Sequence, residues 1–291
     1  MIEARRIRAF YAAVGPFYDG YGGRARAWHW GIWEPGVRTR HQALVRSNRI
    51  LARGLKLTSR SRVLDVGCGS GGFAVWAARK FGCRVTGITI RPEHARLAGR
   101  YARQRGVGHL CRFVAMDMDR LRLPPAEFDL VVNQESFSHS VDKARYLASL
   151  VEVVAPGGTW RCIDTCVPPW RHPSADARRV LRTVHEGFRV PSLPTLDQMH
   201  RYLAAAGFVD VESVDLSRRV LPNRRYMEPR TFAIAALFPQ WSVPGGPAAR
   251  EIGSDNYRAA FAYMTGLERG YVMHVLHHAR RPPRDNARAT A

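Results

Sequence analysis

The 291-residue chain has no apolar run long enough to cross a membrane, since a transmembrane helix needs about 20 consecutive apolar residues. Its first ten residues, Met1 to Phe10, are too charged for a secretory signal peptide. These two absences predict a cytoplasmic protein without a membrane span. With 46% hydrophobic residues, the chain has enough apolar material for one large domain, or for one domain and a cap.

Paired cysteines are also missing. The five cysteines are Cys68, Cys83, Cys111, Cys162 and Cys166. An odd number without Cys-x-x-Cys spacing excludes a closed disulfide framework and disfavours a cysteine zinc site. We therefore predict reduced thiols in the core and no metal site.

Lysine is scarce, because only Lys56, Lys80 and Lys143 contribute to the 45 basic residues. Subtracting the 24 acidic residues leaves a net charge of +21, carried by arginines along the whole chain. Such an excess is found in proteins that bind nucleic acids, anionic membranes or anionic substrates. A genome rich in arginine codons is the other explanation, and the sequence leaves both open.

The most informative stretch is RVLDVGCGSGG, at residues 62–72. An apolar strand containing Asp65 runs into four glycines and then into an amphipathic helix over 73–81. This order lets the backbone pass close to a ligand at the carboxyl end of the strand. Asp65 would repel the pyrophosphate of a dinucleotide and attract an ammonium group. The stretch therefore favours a ligand with an amino-acid head, and an ordinary tight turn is the alternative.

Strands and helices alternate through the rest of the chain. After the first strand at 63–66, we predict strands at 84–90, 111–114, 128–133, 159–167, 208–216 and 271–278. We predict further helices at 38–55, 93–105, 142–154, 175–185, 196–206 and 256–269. This alternation is typical of an α/β fold with a doubly wound, mostly parallel seven-stranded sheet.

Several segments, in the same order along the chain, resemble motifs of the class I S-adenosyl-L-methionine (SAM)-dependent methyltransferases. RVLDVGCGSGG resembles their first motif, and GITIRP, AMDMD and VEVVAPGG are similar to later ones. NQESFSHSVDK resembles the stretch that faces both cofactor and substrate in tocopherol, sterol and geranyl diphosphate C-methyltransferases. The resemblance implies the class I fold, methyltransferase activity and SAM as the cofactor.

The resemblance also suggests four regions. Residues 1–55 form an N-terminal aromatic cap with a lead-in helix, and residues 56–167 form the SAM-binding core. Residues 168–280 contain substrate-side insertions and complete the sheet. Residues 281–291 form a tail that we expect to be disordered, and we find no internal repeat.

The implied cofactor-binding residues are Asp65, Gly67, Cys68, Gly69, Thr89, Ile90, Asp117, Met118 and Gln134. Asp65 and the glycine turn would receive the ammonium and carboxylate groups of SAM. Thr89 stands where most class I enzymes carry an acid that binds the ribose, so a hydroxyl replaces a carboxylate. Asp117 matches the position that meets adenine, and the alternative is that it caps a helix.

Glu135 and His139 are the candidate catalytic residues. The protein mainly aligns SAM with its acceptor in a dry pocket. An oxygen or nitrogen acceptor needs a base such as His139, whereas an alkene acceptor becomes a carbocation that must lose a proton to a carboxylate such as Glu135. The alternatives are a hydrogen-bonding role for Glu135 beside the cofactor and a helix-capping role for His139.

The aromatic cap predicts a lipophilic acceptor, with Tyr18, Tyr21, His29 and Trp30 as candidate substrate-binding residues. Arginines in the insertions suggest that this acceptor has an anionic head, and Arg179 is our candidate among them. These arginines are Arg171, Arg178, Arg179, Arg182, Arg218, Arg219, Arg224 and Arg225.

With the resemblance, these features favour C-methylation of a prenyl diphosphate or related isoprenoid in specialised terpenoid metabolism. Mg²⁺ would then be a counter-ion of the diphosphate. Methylation of a tocopherol-like phenol, a sterol or an alkaloid at oxygen, nitrogen or carbon is the alternative.

The net charge suggests a nucleic-acid methyltransferase as a remoter alternative. Enzymes that methylate base amino groups carry an N-P-P-Y type loop after the fourth strand, where this chain has Asn133-Gln134-Glu135-Ser136. No separate RNA-binding module is visible, so we predict no nucleic-acid partner. A SAM-binding protein without activity is a further alternative, and a homo-oligomer is left open.

Overall fold

A computed structural model describes residues 2–227 and 247–284, with the backbone alone at 2–4, 16–22 and 247–250. Its seven-stranded sheet has the order β3-β2-β1-β4-β5-β7-β6, in which β7 is antiparallel to both of its neighbours and the other strands are parallel. The strands are β1 Arg62–Val66, β2 Arg84–Thr89, β3 Cys111–Ala115, β4 Phe128–Gln134, β5 Val154–Cys166, β6 Val209–Asp215 and β7 Met273–Arg280. This arrangement confirms the predicted fold class.

Nine α-helices lie within the described residues. They are α1 Ile2–Gly22, α2 Arg40–Ala52, α3 Gly72–Phe81, α4 Pro92–Gln104, α5 Lys143–Val153, α6 Ala175–Phe188, α7 Leu196–Ala205, α8 Ser217–Val220 and α9 Pro247–Glu268. Most begin and end within a few residues of their predicted bounds. Capping signals explain this agreement: Thr39 and Thr195 each form a capping box with the glutamine three residues later.

α1 is the main element that the sequence pattern did not predict, since the helix predicted within the N-terminal cap spans residues 38–55. Ile7, Phe10, Ala13 and Val14 are buried along one face of the helix, at the spacing of an amphipathic helix. α1 packs against α9, which begins nine residues before its predicted start. Gly15, Pro16, Gly20 and Gly22 lie within α1 itself, and glycine and proline are poor helix formers that weaken the helical pattern.

The segment after α1 is fastened to the chain that follows β6. Asn223 is fully buried; its amide nitrogen donates to the carbonyl of Gly31 over 2.7 Å, and its Oδ1 accepts from the amide of Gly31 over 3.2 Å. The amide of Trp33 donates to the carbonyl of Arg219 over 2.8 Å. Residues 31–33 therefore keep a fixed position relative to the C-terminal third of the chain.

No helix within the described ranges is long and apolar enough to span a membrane. The same ranges contain no group of three or more His, Cys, Asp or Glu side chains arranged to hold a metal ion. The five cysteines are free thiols, and four of them are buried.

Candidate active site

A cavity opens at the carboxyl ends of the parallel strands, where α/β folds bind ligands. Its empty space, with the mouth included, is about 920 Å³. The lining residues are Ile7, Tyr11, Arg26, Trp28, His29, Asp65, Gly67, Cys68, Gly69, Gly72, Phe73, Ile88, Thr89, Ile90, His94, Met116, Asp117, Met118, Gln134, Glu135, Ser136 and His139. All nine predicted cofactor-binding residues and both predicted catalytic residues lie on this list.

The glycine turn after β1 forms the floor of the cavity. Gly67 has a φ of +81°, and a Cβ at this position would lie 2.3 Å from the Cβ of Ser136. The amides of Gly67 and Cys68 both donate to the carbonyl of Ile88 over 2.9 Å. A side chain at residue 67 would therefore separate the turn after β1 from the loop after β4.

Asp65 points an unsatisfied oxygen into this floor. Its side chain is buried, and its Oδ2 has no hydrogen-bond partner. Burial raises the pKa of Asp65 to about 7, because a charged carboxylate is poorly solvated there. A cationic ligand such as the ammonium group of SAM would satisfy Oδ2 and favour the ionised form, so the residues present fit this cofactor.

Thr89 and Asp117 line the cavity at the ends of β2 and β3. Thr89 is buried, so its hydroxyl can serve a ligand only from within the cavity. Asp117 caps a short 3-10 helix, Met118–Arg120, by accepting from the amide of Asp119 over 3.1 Å. Asp117 thus has the capping role considered as an alternative, and it also faces the cavity.

Glu135 follows directly after β4 with a φ of +51°, a left-handed conformation that is strained for a residue with a side chain. Its Oε1 accepts from the amide of Trp30 over 2.7 Å and lies 3.6 Å from Nε2 of His274. Burial raises its pKa well above the usual value, and the charge of Asp164 adds to this. Its side chain remains 17% exposed, so the carboxyl group stays open to the cavity.

The residues around Glu135 in NQESFSHSVDK mainly hold its loop in place. Asn133 Nδ2 donates to Oγ of Ser136, and that hydroxyl donates to the carbonyl of Val66 over 2.6 Å. The Nζ of Lys143 is buried and donates to the carbonyls of Ser138 and Ser140. This motif therefore fixes the position of the catalytic candidates besides containing them.

His139 reaches the cavity from the short helix Phe137–His139. Its Nε2 shares a hydrogen bond of 2.9 Å with the hydroxyl of Tyr11 on α1. Burial lowers the pKa of His139 to about 4, so the ring is neutral at physiological pH and can accept a proton. Tyr11 was not singled out as a site residue in the sequence, because the helix that carries it was not predicted.

Two of the predicted substrate-binding residues can be located near the cavity. His29 lines it, and its Nδ1–H donates to the carbonyl of Trp30 over 2.9 Å. The ring of Trp30 does not line it, because this ring stacks on Tyr263 at a centroid distance of 5.7 Å. The side chains of Tyr18 and Tyr21 lie outside the described residues.

The prediction for Arg179 needs correction. Arg179 lies on α6 with a 77% exposed side chain that pairs with Asp176, and it does not line the cavity. The other seven insertion arginines are exposed as well, and Arg219 and Arg224 pair with Glu34 and Glu268. Their positions in the sequence could not distinguish them from arginines that bind a ligand, because amphipathic surface helices also carry arginine on their solvent-exposed face.

Ten lining residues were absent from the predicted site, among them Tyr11, Arg26, Trp28 and His94. Trp28 packs edge-on against His94 with 4.6 Å between the ring centroids, and it lies roughly parallel to Tyr11 at 6.1 Å. Arg26 is the one arginine among the described lining residues, which include no lysine. The aromatic richness of the N-terminal segment was the available signal for Tyr11 and Trp28.

Comparison with known proteins agrees with this geometry. Residues 63–158 match the family model described as Methyltransferase domain. The chain is 32% identical to 27-O-demethylrifamycin SV methyltransferase of Amycolatopsis mediterranei, over 67% of this chain and 71% of that protein. It is 30% identical to the chloroplastic tocopherol O-methyltransferase of Arabidopsis thaliana over 55% of this chain, which covers only 47% of that protein's length.

Among solved structures, the (4+2)-cyclase SpnF superposes with a TM-score of 0.72 at 26% identity, over 94% of each chain. These matches therefore include proteins named for methyl transfer and a protein named for cyclisation.

Proposed function

We propose that this chain, which belongs to the SAM-dependent methyltransferase family, methylates carbon in a lipophilic alkene, the acceptor being a prenyl diphosphate or a related isoprenoid. Its cofactor is SAM. The observation that carries the proposal is Glu135, a carboxyl group held at the cavity beside the glycine turn that binds the cofactor. A carboxyl group that is partly buried beside the cavity is a stronger base than a solvated one, and it is therefore suited to remove a proton from an acceptor.

The cofactor would be held through its charged ends. Asp65 offers an unsatisfied oxygen for the ammonium group. Arg26, whose backbone lies against the start of α3, offers the complementary charge for the carboxylate. Bound SAM supplies an electrophilic methyl group on its sulfonium.

The remaining chemistry falls to the chain's own residues. The π electrons of an alkene would form the new carbon–carbon bond to the methyl group of SAM, the sulfur–methyl bond would break to leave a neutral thioether, and the adjacent alkene carbon would become positively charged. Trp28 and Tyr11 line the cavity, and aromatic rings stabilise such a charge. Glu135 then accepts the proton from the neighbouring carbon, and the electrons of that C–H bond restore the double bond.

The described lining residues favour an acceptor with little negative charge. If Arg26 pairs with the cofactor, no other arginine or lysine among them is left for a diphosphate. Within the proposed class, the uncharged isoprenoids are therefore better matched to the cavity than the diphosphates.

A screen with SAM labelled in its methyl group tests the proposal. Geranyl, farnesyl and geranylgeranyl diphosphates are offered beside the matching alcohols, a tocopherol precursor phenol and an alkaloid amine. We expect label in a carbon–carbon-bonded methyl group of an isoprenoid, with the alcohols accepted at least as well as the diphosphates. Label found only on oxygen or nitrogen would reject carbon methylation and leave the methyltransferase assignment in place.

Cyclisation is a second candidate function, favoured by the likeness to SpnF over 94% of both chains. The same cavity could fold a polyene for a pericyclic reaction that needs no proton transfer. Mass spectrometry of the products separates the two functions, because methylation adds one CH₂ unit to the acceptor and cyclisation leaves its mass unchanged.

A further inference from the structure

His274 lies beside Glu135 and is not among the residues that line the cavity. It belongs to β7, is fully buried, and pairs across the sheet with Thr165 of β5. Its amide donates to Oγ of Ser217 over 2.9 Å, and its carbonyl accepts from the amide of Leu216 over 2.7 Å. The backbone thus holds the imidazole in one place.

The two ring nitrogens of His274 have different surroundings. Nδ1 shares a hydrogen bond of 2.7 Å with the hydroxyl of Tyr263. Nε2 has no hydrogen-bond partner and lies 3.6 Å from Oε1 of Glu135. A buried polar atom without a partner is rare, and this one faces the carboxyl group assigned above as the base.

The hydrogen bond between Tyr263 and Nδ1 links the tautomer of His274 to the hydroxyl, because a hydroxyl that donates to Nδ1 leaves the ring proton on Nε2. The hydroxyl of Thr165 donates to the Tyr263 oxygen over 3.3 Å, so the single hydroxyl hydrogen of Tyr263 is left to donate to Nδ1. The ring then carries its proton on Nε2, facing Glu135. Burial lowers the pKa of His274 to about 3, so the contact is a neutral N–H beside a carboxyl group and not an ion pair.

We propose that His274, held by Tyr263, is a positioning residue for Glu135: its Nε2–H donates to Oε1 of the Glu135 carboxylate and leaves Oε2 to meet the acceptor. The amide of Trp30 donates to the same Oε1, so both described contacts are made by one oxygen. The 3.6 Å separation is longer than a hydrogen bond and closes when the cavity is filled, as catalytic contacts in empty sites commonly do. The inference rests on the proposed function only for the role of Glu135.

Nuclear magnetic resonance of protein labelled with ¹⁵N in its histidine rings tests the tautomer directly, without any acceptor. The His274 signals are those missing from the spectrum of His274→Asn. We expect a neutral ring with its proton on Nε2, a shifted Nε2–H signal in Glu135→Gln, and a mixture of tautomers in Tyr263→Phe. A proton on Nδ1 in the wild-type protein, or an Nε2 signal that Glu135→Gln leaves unchanged, would overturn the proposal.

Kinetics on the isoprenoid that the labelled-SAM screen finds most active provide the second arm. His274→Gln keeps an N–H near the position of Nε2, whereas His274→Asn does not. We expect His274→Asn to lower kcat about tenfold to a hundredfold with the Kd for SAM unchanged, and His274→Gln to recover most of the loss. Equal losses in both variants would show a merely structural role.

His277→Asn is the matched control. His277 is also fully buried on β7, but it contacts Cys166 and Ser213 and not Glu135. It should lower the melting temperature as much as His274→Asn does and leave the Glu135→Gln-sensitive signal in place. If Glu135→Gln keeps full activity while it still shifts the Nε2–H signal of His274, the proposed function fails and this inference stands. If Glu135→Gln leaves the Nε2–H signal unchanged, the inference fails at any level of methyltransferase activity.

Discussion

The cavity has two walls of different construction. The proposed cofactor wall lies at the carboxyl ends of β1, β2 and β3 and in the turns after them, with Asp65, Gly67, Thr89 and Asp117 as its main members. The proposed acceptor wall consists of side chains from α1, from the segment after it and from the loop after β4: Tyr11, Trp28, His29, Glu135 and His139. The first depends on backbone conformation near a few glycines, and the second on contacts between distant parts of the chain. Substitutions in the first wall should therefore mainly affect SAM binding, and substitutions in the second should mainly affect turnover.

The largest effect is expected from Gly67→Val in the cofactor wall. The new side chain would collide with Ser136 at a φ of +81°, so SAM binding should be lost completely in calorimetry. Gly36→Ala is the control, because Gly36 has a similar φ of +86° with open space around it; it should lose about 1 kcal/mol of stability and keep SAM binding. Normal affinity in Gly67→Val would mean that the turn is not the cofactor floor.

Glu135→Gln probes the acceptor wall and should separate binding from turnover. The amide keeps the shape of the carboxyl group and cannot accept the proton, so kcat should fall by about 10² to 10³ while the Kd for SAM stays the same. Glu34→Gln serves as control, since Glu34 is a partly buried carboxylate that pairs with arginines. Near-normal turnover in Glu135→Gln would return this residue to a structural role.

Asp65 should make cofactor binding depend on pH. Its pKa in the empty protein is raised to about 7, and an ammonium ligand favours the ionised form. SAM affinity should therefore weaken as pH falls below 7, by up to about tenfold per unit. Calorimetry from pH 5 to pH 8 measures this, and Asp65→Asn should bind weakly with a flat profile. An equally steep profile in the variant would assign the dependence to another group.

The raised pKa of Asp65 also makes the stability of the empty protein decrease as the pH rises. Because the folded-state pKa lies above that of an unfolded chain, Asp65 contributes full stability below pH 4 and loses it as the pH rises through 7. The empty Asp65→Asn protein should thus gain stability over wild type near pH 8. A melting-temperature series in the absence of SAM measures the difference.

Arg179→Ala should have the smallest effect. Because Arg179 belongs to neither wall, this variant gives a reference against which the effects on the two walls can be compared. Its exposed pair with Asp176 is screened by solvent and contributes little to stability, and no cavity contact is lost. Turnover and the KM of the best acceptor should stay within about twofold of wild type. A specific rise in KM for a diphosphate, with the alcohol unaffected, would restore Arg179 as an anion-binding residue.

The cofactor wall could be predicted from sequence because each of its members lies at, or within two residues of, the carboxyl end of a strand. Asp65 and its glycines, Thr89, and Asp117 are placed by the strand before them and by the parallel register of the sheet. Local signals suffice for such residues. The conformation of a turn is encoded in the residues that form it.

The acceptor wall could be predicted only in part. Glu135 and His139 were found because they too follow a strand, but Tyr11 sits on a helix hidden by an atypical pattern. His274 and Tyr263 come from elements near the C-terminus, and nothing in their local sequence points to Glu135. Trp30 was assigned to substrate, whereas its ring stacks on Tyr263. Which side chains meet across the sheet depends on packing, and short-range patterns do not encode it.

The bond between Asn223 and Gly31 also bears on the order in which the enzyme is made. It joins residues 192 positions apart, and contacts of such separation form late because a long loop must close first. On the ribosome, β1 to β4 can pair while the C-terminal third is still unsynthesised. In a nascent chain, the glycine turn at the floor of the cavity could thus form well before His274 is synthesised and placed beside Glu135. Methyl transfer would then follow synthesis of the C-terminal third.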